Sequence, residues 1–253
     1  MTIHSNYEPT VRLLFERGAD IDIQGEYGNA LQTAAVKGND RVVQLLLDMG
    51  AKVNAVGGYL GTALHAASYY QNMSIVKNLV MNGADVNMNA GYYGTALQAA
   101  SIGATSPKVI HFLLDHGAEI NADEGTMGTA LQAASKHGNV LVVRYLLDQG
   151  ADPNAPGGLY GNALAAASSS KFSKNIVVVQ LLLERGSNVN APAGRKVNAL
   201  DWAAGPDNEK LVRLLLELGA DASAVLGPGE SDQDLDDAEK LVKLLCRRSV
   251  YVE

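Results

Sequence analysis

Few side chains in this sequence could transfer protons, and their spacing matches no known catalytic arrangement. His65 and His137 could act as general acid or base near neutral pH, and Asp201 could share that role beside an apolar metabolite. The sequence contains no His-Glu-x-x-His pair, no phosphate-binding Gly-x-x-x-x-Gly-Lys loop and no Gly-x-Ser-x-Gly turn. We therefore expect no catalytic residue; if the protein is an enzyme, these three residues are the candidates.

The overall composition narrows the function classes further. The 253 residues carry a net charge of −7, which argues against nucleic-acid binding because such proteins present a basic face. Cys246 is the single cysteine, so neither a disulfide framework nor a thiolate metal site is expected. No apolar run approaches the roughly 18 residues of a membrane span. We expect no metal, no cofactor and no membrane contact, and a cytoplasmic location with the nucleus as the alternative.

The chain repeats itself at intervals of 33 to 36 residues. Each copy opens on a short polar residue followed by Ala-Leu, and these openings are Asn29, Thr62, Thr95, Thr129, Asn162 and Asn198. Each copy closes on a Leu-Leu-x-x-Gly-type ending. A fixed period of this size predicts a solenoid, in which neighbouring copies bury the faces that one copy cannot bury alone.

One copy, residues 57–89, shows how the chain builds a repeat. Glycines at its start predict a turn, and Thr62 can cap a first helix through its side-chain oxygen. The alanines of that helix allow close packing. Ile75, Val76 and Leu79 have the spacing of a second helix, and Gly83 suits the left-handed residue that ends it.

These residues resemble the ankyrin repeat. Thr62-Ala63-Leu64-His65-Ala66-Ala67 is similar to the family's Thr-Pro-Leu-His-x-Ala opening, although alanine replaces proline in all six copies. The glycine- and tyrosine-rich turns are similar to those of ankyrin arrays from filamentous fungi. The resemblance implies an all-α solenoid of helix-turn-helix repeats joined by β-hairpin-like loops. It also implies a protein-binding scaffold, and a structural, hydrogen-bonded His65.

The aligned copies predict a single domain over residues 1–253. Six full repeats occupy residues 24–225, an N-terminal half-repeat or cap occupies 1–23, and an acidic linker with a capping helix occupies 226–253. The half-repeat supplies an outer helix without its inner partner, so its apolar residues should be open. Either the N-terminal tail covers them, or the chain belongs to a longer array, or a second copy packs there by self-association.

Residues that differ between copies are the candidates for recognition. In ankyrin proteins, partners usually meet the hairpin tips and the exposed ends of the first helices. Tyrosine is frequent at the matching positions here, and it gives a large contact area with a polar tip. The predicted partner-binding residues are Tyr59, Tyr69, Tyr70, Tyr92, Lys136, His137, Leu159, Arg195 and Trp202. The column Tyr27, Leu60, Tyr93, Met127 and Tyr160 is instead interpreted as packing between hairpins.

The favoured function is a non-catalytic module that binds a protein segment of unknown identity through a concave, aromatic face. One alternative is an unusual enzyme or small-molecule binder that holds an apolar ligand in the groove. The other is a structural spacer taken from a larger signalling protein.

Overall fold

The protein is described by a computed structural model, which covers residues 8–26, 28–170, 175–196, 198–204 and 208–222. The predicted capping helix at 226–253 and Tyr27 lie outside these residues. The chain divides into two compact units, Met1–Glu119 and Ile120–Glu253.

Each unit is built from short α-helices. The first contains α1 (Glu8–Glu16), α2 (Ala30–Lys37), α3 (Asp40–Asp48), α4 (Ala63–Tyr69), α5 (Met73–Met81), α6 (Ala96–Gly103) and α7 (Lys108–Asp115). The second contains α8 (Ala130–Lys136), α9 (Val140–Asp148), α10 (Ala163–Ser168), α11 (Asn175–Glu184), α12 (Ala199–Ala203) and α13 (Glu209–Glu217). The all-α solenoid expected from the sequence is confirmed.

From α2 onward the helices form pairs, with an even-numbered inner helix packed on the odd-numbered outer helix that follows it. In the first unit, α4 packs between α2 and α6, and α10 packs between α8 and α12 in the second. Alanines such as Ala66, Ala67 and Ala100 are buried on the inner helices, where their small side chains permit this close stacking. Buried leucines at matching positions complete the core, and these are Leu31, Leu64, Leu97, Leu131, Leu164 and Leu200.

The residues predicted to cap the helices of the second copy do so in the structure. The Thr62 hydroxyl accepts a hydrogen bond from the backbone N–H of His65 at 3.4 Å, at the start of α4. Gly83 follows α5 with φ of +85°, the left-handed conformation that ends a helix without a Cβ clash. The loops that precede the inner helices close as small antiparallel bridges, for example between Gly57 and Gly61.

One position on the inner helices anchors the next loop. Gln32 donates from its side-chain amide to the carbonyls of Ala55 at 2.8 Å and Gly61 at 2.6 Å. His65 occupies the same place one repeat later. Its Nε2 bonds the carbonyls of Met88 at 3.0 Å and Gly94 at 2.8 Å.

A ladder of asparagines links successive repeats on the exposed side. Asn54 donates to the Gly83 carbonyl at 3.1 Å and accepts from the Asp85 N–H at 2.9 Å. Asn87 makes the same pair of bonds with Gly117 and Glu119. Within the second unit, Asn154 and Asn190 repeat the arrangement. Each rung reaches only the neighbouring repeat.

The N-terminal helix α1 packs on the outer helix α3. Leu13, Leu14 and Phe15 on α1 are exposed, which agrees with the open apolar surface expected of this segment.

Candidate functional site

Two loops of the first unit hold Tyr59 and Tyr92 beside each other. The backbone N–H of Tyr92 donates to the Tyr59 carbonyl at 3.0 Å, so the two tips are joined directly. Gly91 makes this approach possible, because a Cβ there would lie 2.5 Å from the carbonyl carbon of Leu60. The stacked loops therefore fix the two tyrosines one repeat apart.

The end of α4 holds Tyr69 and Tyr70. The helix ends at Tyr69, and the next turn places Gln71 at φ of +58°, in the left-handed region. The Gln71 side chain donates to the carbonyls of Ser68 at 2.7 Å and Ala100 at 3.0 Å. These bonds tie the end of α4 to the neighbouring helix α6.

Five rings from these elements form a continuous row, which we name the tyrosine surface: Tyr92, Tyr59, Tyr93, Tyr69 and Tyr70. The centroids of Tyr92 and Tyr59 are 4.9 Å apart in a stacked pair, and those of Tyr93 and Tyr69 are 5.1 Å apart in another. Edge-to-face contacts join these pairs to each other and to Tyr70. Both geometries are favourable for aromatic rings.

Three members of this row are open to solvent. Tyr59 is 59% exposed, Tyr70 49% and Tyr92 41%, whereas Tyr69 and Tyr93 are half-buried. The tip residues Tyr59 and Tyr92 are thus more exposed than Leu60 and Tyr93, which are interpreted from the sequence as packing between hairpins. In the second unit Leu159 is half-buried, while Met127 and Tyr160 are buried.

Sequence reasoning missed the part that Tyr93 takes in this surface. Its ring packs against Tyr59 of the neighbouring loop, as the interpretation of hairpin packing predicts. It also stacks on Tyr69, and so joins the tip tyrosines to the helix-end tyrosines. Burial raises the pKa of the Tyr93 phenol, and hydrogen bonding and repulsion from Tyr69 and Tyr59 add to the effect. Desolvation by neighbouring rings also raises the pKa of Tyr59, against the hydrogen bond from Tyr93. These phenols are therefore neutral at physiological pH.

The second unit contains a smaller group, which we name the lysine cluster: Lys136, Ser169, Tyr160 and Trp202. The Lys136 ammonium donates to the carbonyl and hydroxyl of Ser169 at 3.1 and 3.0 Å. It also lies 4.6 Å from the centroid of the Tyr160 ring, a cation–π distance. The Tyr160 and Trp202 rings meet edge-to-face with their centroids 5.0 Å apart. The Tyr160 ring therefore contacts both Lys136 and Trp202.

The remaining predicted residues of the second unit have local partners or lie exposed. The Trp202 indole N–H donates to the Ala193 carbonyl at 2.8 Å, which supports a packing role for this ring. Arg195 is exposed at its loop tip, and the adjacent Lys196 forms an ion pair with Asp201 at 2.8 Å. His137 is half-buried and donates from Nδ1 to the Ala133 carbonyl at 2.9 Å.

His65 has the structural role that the family resemblance implied. It is buried, and its two ring nitrogens bond Thr62 and the carbonyls of the next loop. Burial lowers the pKa of His65, although bonds to the Gly94 and Met88 carbonyls and the charge of Asp85 oppose this. A neutral, enclosed imidazole cannot reach a ligand, so its candidacy as a catalytic base is not supported by this environment.

Among the described residues, no group of three His, Cys, Asp or Glu side chains is placed to hold a metal ion. In the same part of the chain, every helix is too short or too polar to cross a bilayer.

Comparisons with known proteins agree with this architecture. The family model for ankyrin repeats matches in three copies, with matched residues 1–90 and 64–157. Among solved structures, the crystal structure of the human ASB11 ankyrin repeat domain superposes with a TM-score of 0.65 at 23% identity. That alignment covers 86% of this chain and 97% of the human one, and at this identity it shows a shared fold. The comparison with curated proteins finds no match. By its repeat pattern, its helix pairs and its match to the family model, the chain belongs to the ankyrin-repeat family.

Proposed function

We propose that this protein binds a protein segment through the tyrosine surface of its first unit. Ankyrin repeats are in general protein–protein interaction modules. The observation that carries the proposal is the row of five contacting tyrosine rings, of which Tyr59, Tyr70 and Tyr92 remain largely exposed. Clustered, exposed aromatic rings on a soluble protein mark interaction sites, and tyrosine is enriched among residues that dominate binding energy.

Elements that recur in the copies build the frame of the repeat. These elements are the buried leucines and alanines, the helix caps and the asparagine ladder. Tyr70 also stands where other copies have Lys37, Gly103 and His137. A tyrosine at this position is therefore not part of the pattern that the copies share.

The lysine cluster and Arg195 are proposed as a second contact region within the other unit. Lys136 and Arg195 are cationic, and the structure pairs neither with a carboxylate among the described residues. They would suit acidic side chains of a partner. Leu159 and His137 stay candidates for the same contact.

The proposal is tested by capture from a native extract with three baits. The first is the unaltered protein, and the second carries Tyr59→Ala, Tyr69→Ala, Tyr70→Ala and Tyr92→Ala. The third is a matched control with Met81→Ala and Leu141→Ala, which removes exposed apolar side chains from outer helices. We expect the same specific proteins on the first and third baits and their loss from the second, with equal helical content by circular dichroism. Equal capture by all three baits would refute binding through the tyrosine surface.

We also propose self-association through α1, because Leu13, Leu14 and Phe15 are exposed on one short helix. Light scattering over a range of concentrations should show a dimer that Leu14→Glu converts to monomer. A concentration-independent monomer of the unaltered protein would exclude it. A cytoplasmic or nuclear location and a fungal origin stay predictions.

A further inference from the structure

We propose that the segment bound by the tyrosine surface is proline-rich and extended in the polyproline II conformation. This inference rests on the proposed function and names the chemistry of the partner. It follows from three properties of the surface: its lack of charge, its hydroxyl groups and its exposed aromatic rings.

The tyrosine surface is electrically neutral. The two loops that carry Tyr59 and Tyr92 read Gly-Gly-Tyr-Leu-Gly and Ala-Gly-Tyr-Tyr-Gly, without a charged residue. The charge interactions felt by the Tyr59 and Tyr93 phenols come from other tyrosines, within the part of the chain that the structure describes. A partner that brought charged side chains here would lose their hydration without gaining an opposite charge. The surface therefore favours an uncharged segment.

The hydroxyl groups favour a partner with free acceptors. Each tyrosine can donate one hydrogen bond, and Tyr59, Tyr70 and Tyr92 extend toward solvent. A polyproline II segment makes no internal hydrogen bonds, and proline has no N–H, so its carbonyls are open acceptors. Most carbonyls of an α-helix are already bonded within the helix. An extended, proline-rich segment thus matches the donors better than a helix does.

The ring faces complete the match. Proline rings are compact, rigid and apolar, so they can pack against the exposed parts of the tyrosine rings without ordering long side chains. Because the segment is already extended before binding, little conformational entropy is lost on docking. Domains that recognise such segments elsewhere dock them in grooves lined by aromatic side chains.

The test is a titration with a peptide of ten prolines, acetylated and amidated at its ends, followed by NMR of the tyrosine rings. We expect saturable shifts at Tyr59, Tyr70 and Tyr92. The Tyr59→Ala/Tyr92→Ala variant should bind about tenfold more weakly or worse, as expected for interface hot spots. Tyr59→Phe/Tyr92→Phe keeps the rings and should show a smaller loss, which isolates the hydroxyl contribution. Met81→Ala, on the outer helix α5, should bind like the unaltered protein.

Two further peptides of ten residues distinguish the alternatives. A glycine-serine peptide keeps the backbone carbonyls but lacks rings and stiffness, and an arginine-glycine peptide offers cations to the ring faces. Both should bind more weakly than the proline peptide. Stronger binding of either, or no saturable shift with the proline peptide, overturns the inference. Should tyrosine replacement still abolish capture from extract, the proposed protein-binding function stands and only the partner class is wrong.

Discussion

The backbone of Gly103 lies against the carbonyl of Tyr69, so that a Cβ at residue 103 would sit 1.8 Å from that oxygen. Gly103 is the last residue of α6, and Tyr69 is the last residue of α4. At this closely packed helix end, the Tyr69 ring meets Tyr70 edge-to-face and stacks on Tyr93. A side chain at residue 103 would therefore displace the backbone that carries the Tyr69 ring.

Gly103→Ala should destabilise the protein by about 1–3 kcal/mol, the usual cost of overpacking a close contact. In an unconstrained helix the same substitution stabilises by roughly 0.5–1 kcal/mol. A loss of stability would therefore show that the contact with Tyr69 is tight. The measurement is urea denaturation, with Thr33→Ala at an exposed position of α2 as control. An unchanged or raised free energy of unfolding would mean that the helix ends can separate without cost.

Gln71 should tolerate glycine better than alanine. Among the described residues it alone has positive φ without being glycine, where Gly38 and Gly138 stand in other copies. Gln71→Gly relieves roughly 1 kcal/mol of backbone strain while losing side-chain bonds of similar net value, so stability should change little. Gln71→Ala keeps the strain and loses the bonds, and should cost about 1–2 kcal/mol. Equal unfolding free energies for the two variants would exclude this account.

His65 should make the protein sensitive to mild acid. Because burial lowers its pKa in the folded state, the unfolded chain binds a proton first as pH falls below about 6.5. Its contribution to stability is therefore complete above that pH and is lost as pH falls from there through the lower pKa of the folded state. His65→Gln should keep the stability of the unaltered protein at neutral pH, since Gln32 makes equivalent bonds in its own repeat. The free energy of unfolding of this variant should differ less between pH 7 and pH 5.

His65→Ala gives the contrasting result for the same position. It removes the bonds to both loop carbonyls and leaves a cavity, so we expect a loss of about 3 kcal/mol at neutral pH. Thermal unfolding of both variants across this pH range provides the measurement. An identical pH dependence in the unaltered protein and His65→Gln would show that His65 does not titrate with unfolding.

Tyr93 should contribute stability that alkali removes. Its pKa is raised in the folded state, so the unfolded chain releases the proton first once pH exceeds about 10. The stability is complete below that pH and declines above it. The free energy of unfolding, measured from pH 9 to 11, should fall less steeply with pH in Tyr93→Phe than in the unaltered protein. The phenolate absorbance of the folded variant should show one fewer tyrosine that titrates at high pH. Parallel declines in both proteins would contradict the prediction.

The helices and core of this protein could be predicted from its sequence because the same residue types recur at equivalent positions in several copies. Thr62, Leu64 and Gly83 recur at one period, and the structure gives them the expected cap, core and helix-end roles. Exposure of Tyr59 and Tyr92 followed from their place at irregular loop positions. Their neighbours were harder to predict.

The contacts of Tyr93 could not be inferred by alignment with Met127 and Tyr160. Those two residues are buried in their own copies, whereas Tyr93 meets Tyr69, an aromatic ring that no other copy has at that position. The close approach of Gly103 and the left-handed Gln71 also depend on backbone geometry between repeats. The repeat period predicts the residues that the copies share, whereas these features depend on contacts between one particular repeat and its neighbour.

The asparagine ladder has a consequence for how such a protein can change length. Asn54 joins its own repeat to the next through Gly83 and Asp85, and Asn87 does the same one repeat later. Because every rung joins adjacent copies, an extra copy of residues 57–89 would offer its own carbonyl and N–H to the asparagine before it. Its own asparagine would find the same two partners in the repeat that follows. Duplication or deletion of a whole repeat by recombination would therefore preserve the backbone hydrogen bonds between repeats. It would also move every tyrosine after that point by one repeat and so change the binding surface.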